Sequence, residues 1–208
     1  RQRQYTPPRQ RQHAEIDMAL RKLTDATIEP VSLAEARAHL RAATTAEDTL
    51  ITSLITAARQ ACEDRLQRTL LQTDWELTLD AFPCAIPLRM PSVMSVQSVQ
   101  YVDEDGVTQT LSPTSYQVDA KSEPGWIVPA YGYAWPTTRE QINAVTVAYR
   151  CGYGTTAAAV PGPIKSWILL MIGSLYENRE SVSVAQGIVS VELGFADRLL
   201  DTYRVWAI

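Results

Sequence analysis

The chain has 208 residues, 46% hydrophobic and 20% charged, with a formal net charge of −4. This is ordinary globular composition, with enough apolar mass for a real core and a length that suits one domain or one domain with an insert. No apolar run reads as a membrane span, and the polar, basic residues 1–13 do not read as a secretory signal, so a soluble intracellular protein is expected.

The charge is uneven. Residues 1–29 carry six basic and four acidic groups, and the rest of the chain is net acidic. An acidic body disfavours non-specific DNA binding, while the basic start could meet an acidic partner. Cys62, Cys84 and Cys151 lie far apart and His13 and His39 are the two histidines. That spacing supports neither a disulfide framework nor a zinc site.

Residues 1–13 (RQRQYTPPRQRQH) read as an extended or disordered arm. The spacing of Ile16, Ala19, Leu20 and Leu23 predicts a short helix within residues 14–28, which Pro30 ends. Ser32 with Glu35 forms a capping box for a helix over residues 33–41. Thr44 with Glu47, or Thr45 with Asp48, caps a second helix running to about residue 69. Its apolar stripe is Leu50, Ile51, Leu54, Ile55, Ala58, Ala61, Cys62 and Leu66, with Arg59, Glu63, Asp64 and Arg68 mostly on the other face. Such a helix is about 35 Å long at about 1.5 Å per residue.

The period then changes to two. Trp75, Leu77 and Leu79 alternate with Asp74, Glu76 and Thr78, a half-buried strand. Ile86, Leu88 and Met90 around Pro87 suggest a short edge strand. Residues 96–102 and 107–111 flank Asp103-Glu104-Asp105-Gly106, a hairpin signal. Residues 116–118 and 126–128 are further short strands, and Val145, Val147 and Tyr149 mark the last one. Helix returns at Pro163, with Ile164, Trp167, Ile168, Met171, Ile172, Leu175 and Tyr176 on its buried side. Residues 181–194 read as a loop, followed by a short amphipathic piece over 195–206.

The fold class is therefore α+β: a small helical bundle with an inserted, mostly antiparallel β module and an extended C-terminal tail. The divisions are an N-terminal extension over 1–30, helical core over 31–72, β insert over 73–151, the last core helix over 152–180, and the tail over 181–208.

Reactive constellations are scarce. Gly152-Tyr153-Gly154 lacks the Lys and Ser/Thr of a phosphate loop and reads as a turn. No Gly-x-Ser-x-Gly occurs, and Gly173-Ser174 falls inside a helix. Cys151 could pair with His39 for a thiol hydrolase, but a strand-end cysteine reads better as a small buried hydrophobe. Asp103, Glu104 and Asp105 lack the alternating oxygens of a calcium loop. No cofactor or metal is expected, and the chain reads as a non-enzyme.

Two features suggest recognition instead. Trp126, Tyr131, Tyr133 and Trp135 form an aromatic patch, read as packing or a subunit contact, or else as a platform for a sugar or nucleic acid. Leu199, Leu200, Tyr203 and Trp206 are large and apolar near the chain end. They either fold back on their own core or anchor in a partner's groove together with Arg204. The residues leave both open.

In order, these stretches resemble the head–tail connector (adaptor, or head-completion) family of tailed bacteriophages, in the version with a β insert. The resemblance rests on residues 31–41, on Glu47-Asp48, Leu50-Ile51, Leu54-Ile55 and Ala57-Ala58-Arg59, and on residues 70–83. It continues through Ser95-Val96 to Gly106, Trp135-Pro136, residues 149–154, Pro163-Ile164-Lys165 to Glu180, and Leu199-Leu200 with Tyr203-Arg204. Thr202 stands where the family often has proline.

The resemblance implies a structural protein of the virion, made in the bacterial host cytoplasm. It implies a ring of copies, twelvefold, beneath the portal protein at the head–tail junction. DNA passes through without specific binding, and a stopper or tail-completion protein attaches below. It also implies portal docking by Leu199, Leu200, Tyr203, Arg204 and Trp206. A cyclic ring needs two matching surfaces, and Arg59, Arg68, Trp126 and Trp135 are the candidate subunit contacts.

Overall fold

The computed structural model describes residues 18–178 and 194–205. In chain order the elements are β1 (Met18–Lys22), α1 (Leu33–Leu40), α2 (Asp48–Leu66), β2 (Thr73–Leu79), β3 (Ile86–Leu88), β4 (Val93–Val102) and β5 (Thr108–Thr110). They continue with β6 (Tyr116–Asp119), β7 (Gly125–Pro129), β8 (Val145–Cys151), α3 (Gly162–Glu177) and α4 (Gly194–Asp197). The expected α+β class is what the chain adopts.

α1 starts where its capping box places it. Ser32 Oγ accepts from the Glu35 N–H at 3.2 Å, and the Ser32 N–H donates to Glu35 Oε2 at 2.7 Å. These reciprocal bonds satisfy two donors that a helix start leaves unpaired. α2 begins without the predicted side-chain cap, because its N-cap is Glu47, which makes no such bond. The Glu47 carboxylate instead accepts from the Tyr176 hydroxyl. That contact joins the start of α2 to the end of α3, so the two helices pack antiparallel. Ile51, Ile55, Cys62 and Leu66 of α2 meet Ile164, Trp167, Ile168 and Ile172 of α3 in one buried cluster, with Ala36 of α1. The expectation that these helices find each other across the β block holds.

The segment predicted as a helix over 14–28 forms no helix in its described part, which opens with the strand β1 and continues as an irregular stretch. It pairs antiparallel with β2, from Met18 opposite Leu79 to Lys22 opposite Trp75. Two causes override the helical spacing. A lone helix of this length is marginal in water, and β2 offers an open edge whose N–H and C=O groups need partners. Ile16 lies outside the described residues.

The β module is antiparallel throughout. One sheet has the order β1-β2-β8-β4-β5 and a second has β3-β7-β6. β2 and β8 run in register from Thr73 opposite Cys151 to Leu79 opposite Val145. β4 shifts register against β8 at two points near its start. The predicted hairpin forms: the Gly106 N–H donates to Asp103 O at 2.9 Å, and Gly106 takes φ +83°, a conformation that favours glycine. Leu77, Leu79, Val99, Val145 and Val147 from the large sheet bury against Ile86, Leu88 and Ile127 from the small one.

The two buried clusters meet along a seam of backbone bonds. Thr69 N–H donates to Pro91 O, Tyr153 N–H to Leu70 O, and Gly152 N–H to Ser92 O. Gly152 has φ +134°, and a Cβ there would lie 2.6 Å from the Leu71 carbonyl carbon, so only glycine fits.

Candidate assembly surfaces

Arg59 falls off the apolar stripe of α2, yet its side chain is 1% exposed. Its guanidinium donates to Glu29 Oε2 at 2.8 Å, Glu63 Oε2 at 2.9 Å and Asp25 Oδ2 at 3.3 Å. Glu63 also accepts from the Leu70 N–H at 3.0 Å. Burial pushes the Glu63 carboxyl above its ordinary range, and Arg59 opposes that push. The cluster ties residues 25–29 to α2, where a planar, always-charged group can serve several carboxylates at once. The i, i+4 spacing of Arg59 and Glu63 was a visible signal of the pair; the arrival of Asp25 and Glu29 was not.

Arg68, the second candidate contact, is 5% exposed and stands at the seam. Its Nη1 donates to Glu123 Oε1 at 2.7 Å and to Ser92 Oγ at 3.3 Å, and its Nη2 also meets Glu123. Its Nε donates to Tyr203 O at 3.0 Å, and the guanidinium carbon lies 5.2 Å from the Tyr153 ring centroid. One side chain thus joins the helical core, two turns of the β module and the C-terminal segment. Both arginines are engaged within their own chain.

The C-terminal segment folds back on that chain. Ala196 and Leu200 are 4% and 2% exposed within the helical cluster, and Tyr203 packs against it. Asp197 accepts from Trp167 Nε1 at 3.1 Å and pairs with Arg65. The Val205 N–H donates to Leu66 O at 3.0 Å. Leu199 is half-buried and Arg204 exposed. Of the five residues expected to dock on a partner, Leu200 therefore faces inward, and Trp206 lies outside the described residues.

The aromatic patch does not form one platform. The Trp135 ring stacks on Phe82, with centroids 4.7 Å apart and planes 7° apart. Trp126 alternates with buried Ile127 and lies half-buried on the other face of β7. Tyr131 and Tyr133 belong to a turn closed by the Tyr133 N–H on Ala130 O, and are 99% and 56% exposed.

The reactive candidates are placed apart. Cys151 is buried in the β cluster, whereas His39 is exposed on α1, near Gly173 of α3. Burial pushes the thiols of Cys151 and Cys62 up to about 12, so both stay protonated and poorly nucleophilic. Among the described residues no group of three or more His, Cys, Asp or Glu could hold a metal ion. No described helix is long and apolar enough to cross a membrane.

The fold and its surfaces thus define an α+β module whose buried polar groups join its own pieces. Residues 30–106 match the family model of the phage gp6-like head-tail connector protein. No curated protein matches the chain. Among solved structures, the chain superposes on a subunit from the neck of an empty GTA particle computed with C6 symmetry. The TM-score is 0.75 at 23% identity, covering 91% of this chain and 97% of that one. A chain of the virion of a native gene transfer agent (GTA) particle gives 0.74 at 23% identity, covering 91% and 96%. A chain from the neck of the native particle computed with C12 symmetry gives 0.72 at 22%, covering 91% and 97%. At these identities the structural likeness is one of fold. With the family match over residues 30–106 it bears out the resemblance to head–tail connectors.

Proposed function

We propose that this chain is a head–tail connector subunit that forms a ring beneath the portal at the capsid vertex, extends the DNA channel and presents the platform on which a stopper or tail attaches. The observation that carries the reading is the connector-family match over residues 30–106 on a chain whose whole described fold follows that of a particle-neck subunit. The commitment of Arg59, Arg68 and Asp197 to internal contacts fits a module that works by shape.

Portal docking belongs to the same proposal. The exposed Arg204 and the half-buried Leu199 and Tyr203, together with Trp206, supply the contact, while Leu200 holds the segment in place. Electron cryomicroscopy of particles carrying a tagged copy tests the placement. Density for a ring between portal and tail is expected. Heads that package DNA and attach tails normally without this chain would overturn it.

A further inference from the structure

Beyond Leu200, two backbone groups tie the C-terminal segment to the rest of the chain. The Val205 N–H donates to Leu66 O at the end of α2, and Tyr203 O accepts from Arg68 Nε at 3.0 Å. Between these anchors Arg204 is exposed on extended backbone, with φ −71° and ψ 130°. Whatever orients Arg68 therefore bears on where residues 203–205 lie.

Arg68 is oriented from the β module. Its guanidinium is planar and rigid, and Glu123 grips Nη1 and Nη2 together, which fixes both the plane and the rotation within it. The direction of the Nε–H follows from that grip. Glu123 is itself aimed, because its Oε1 also accepts from Ser92 Oγ at 2.8 Å. It stands in the turn from β6 to β7, where Asp119 Oδ1 accepts from the Lys121 and Ser122 N–H groups at 2.9 and 3.2 Å. Residues 120–123 of that turn are exposed.

We propose that Glu123 is a positioning residue for the C-terminal segment: acting through Arg68, it couples residues 203–205 to the β6–β7 turn, so that a partner that orders one orders the other. With Glu123 in place, Tyr203 and Arg204 are presented in one arrangement. Without its charge, Arg68 is free to turn away from the Tyr203 carbonyl. The coupling runs both ways, as any equilibrium linkage between two sites must. Its bearing on portal contact rests on the docking reading above, and it puts a determinant of that contact on a β-module residue outside the docking segment.

Native-state hydrogen–deuterium exchange of the full chain tests the coupling. Glu123→Gln should speed exchange at Val205 by about fivefold or more and leave Val147, in the middle of β8, unchanged. Removing residues 203–208 should speed exchange at Lys121 and Ser122 by about the same factor. Asp74→Asn is the control, because it also takes a carboxylate from an arginine, Arg150, but on the sheet. A role in general stability alone would make Asp74→Asn move Val205 as much as Glu123→Gln does. In parallel, capture of the purified chain by portal rings should weaken by about tenfold with Glu123→Gln and not with Asp74→Asn. Exchange at Val205 that Glu123→Gln leaves at the unmodified rate, or that both variants raise alike, would overturn the coupling. Equal capture of the unmodified chain and Glu123→Gln would overturn its bearing on docking. Portal rings that capture neither, with the exchange responses as expected, would sink the docking reading and leave the coupling standing.

Discussion

Arg68 Nη1 lies 2.7 Å from Glu123 Oε1, across the seam between the helical core and the β module. Arg68 is nearly buried, while the Glu123 side chain is 38% exposed. Replacing Glu123 by Gln keeps the shape and removes the charge. A hydrogen bond to a charged group contributes about 1.5–3 kcal/mol, and the exposure of Glu123 places the loss at the lower end. Urea unfolding should show a lower midpoint with an unchanged slope.

Arg59 is the more severe site. Arg59→Met leaves buried Glu63 without its guanidinium, and breaking a buried pair by removing one partner costs about 3–5 kcal/mol. Adding Glu63→Gln should recover part of that loss. A double-mutant cycle in chemical denaturation measures the coupling, and additive effects would contradict the cluster described above.

The C-terminal segment is part of the core. Leu200→Ala should destabilise the fold by about 2–5 kcal/mol, the range for a buried leucine truncated to alanine. Removing residues 194–208 should also expose the Trp167 indole, whose N–H Asp197 accepts, and shift Trp emission to the red. A truncated chain with unchanged melting temperature and emission would show that the segment contributes nothing to the fold.

The acid limb of stability should depend on Asp74 and Glu123. Hydrogen bonds from Arg150 hold the Asp74 carboxyl below its ordinary range, and those from Arg68 do the same for Glu123. A lowered folded pKa gives stability that is present above the unfolded value, near about pH 4, and is lost as pH falls through the folded one. Glu63 has the opposite sign: its raised pKa costs stability as pH rises past its ordinary range. Asp74→Asn should flatten the loss of melting temperature below pH 4, and an unchanged acid limb would contradict the assignment.

Thiol labelling gives a direct check of burial. Cys84 is exposed, while Cys62 and Cys151 are buried. A disulfide reagent should modify one thiol in the native chain and three after denaturation. Fast modification of Cys151 in the native chain would revive the reading of it as a nucleophile.

Periodicity carried most of the fold. The i, i+3, i+4 stripes of α2 and α3 and the alternation in β2 and β8 are imposed by burial on one face, so they could be read from residues alone. β1 was misread because Ile16, Ala19, Leu20 and Leu23 satisfy helical spacing equally well, and the partner that decides between the two lies some 55 residues away, as Arg21 and Glu76 show. The buried arginines were misplaced for a related reason. Charge predicts solvent only while its counter-charges are unknown, and Glu29 and Glu123 reach Arg59 and Arg68 from other segments. In the tail, Leu200 and Asp197 pack on the chain's own helices, and chain-end residues spaced three apart do not reveal which of them turn inward.

The chain enters the β module on β2 and leaves it on β8, and those strands are neighbours, with Thr73 opposite Cys151 at the doorway. To the helices, the whole excursion therefore has the footprint of a single hairpin. Its far end can lengthen, shorten or change its loops while the two anchoring points stay at a fixed separation. A lineage can on this plan remodel the far surface of the β module without redrawing the bundle that carries it.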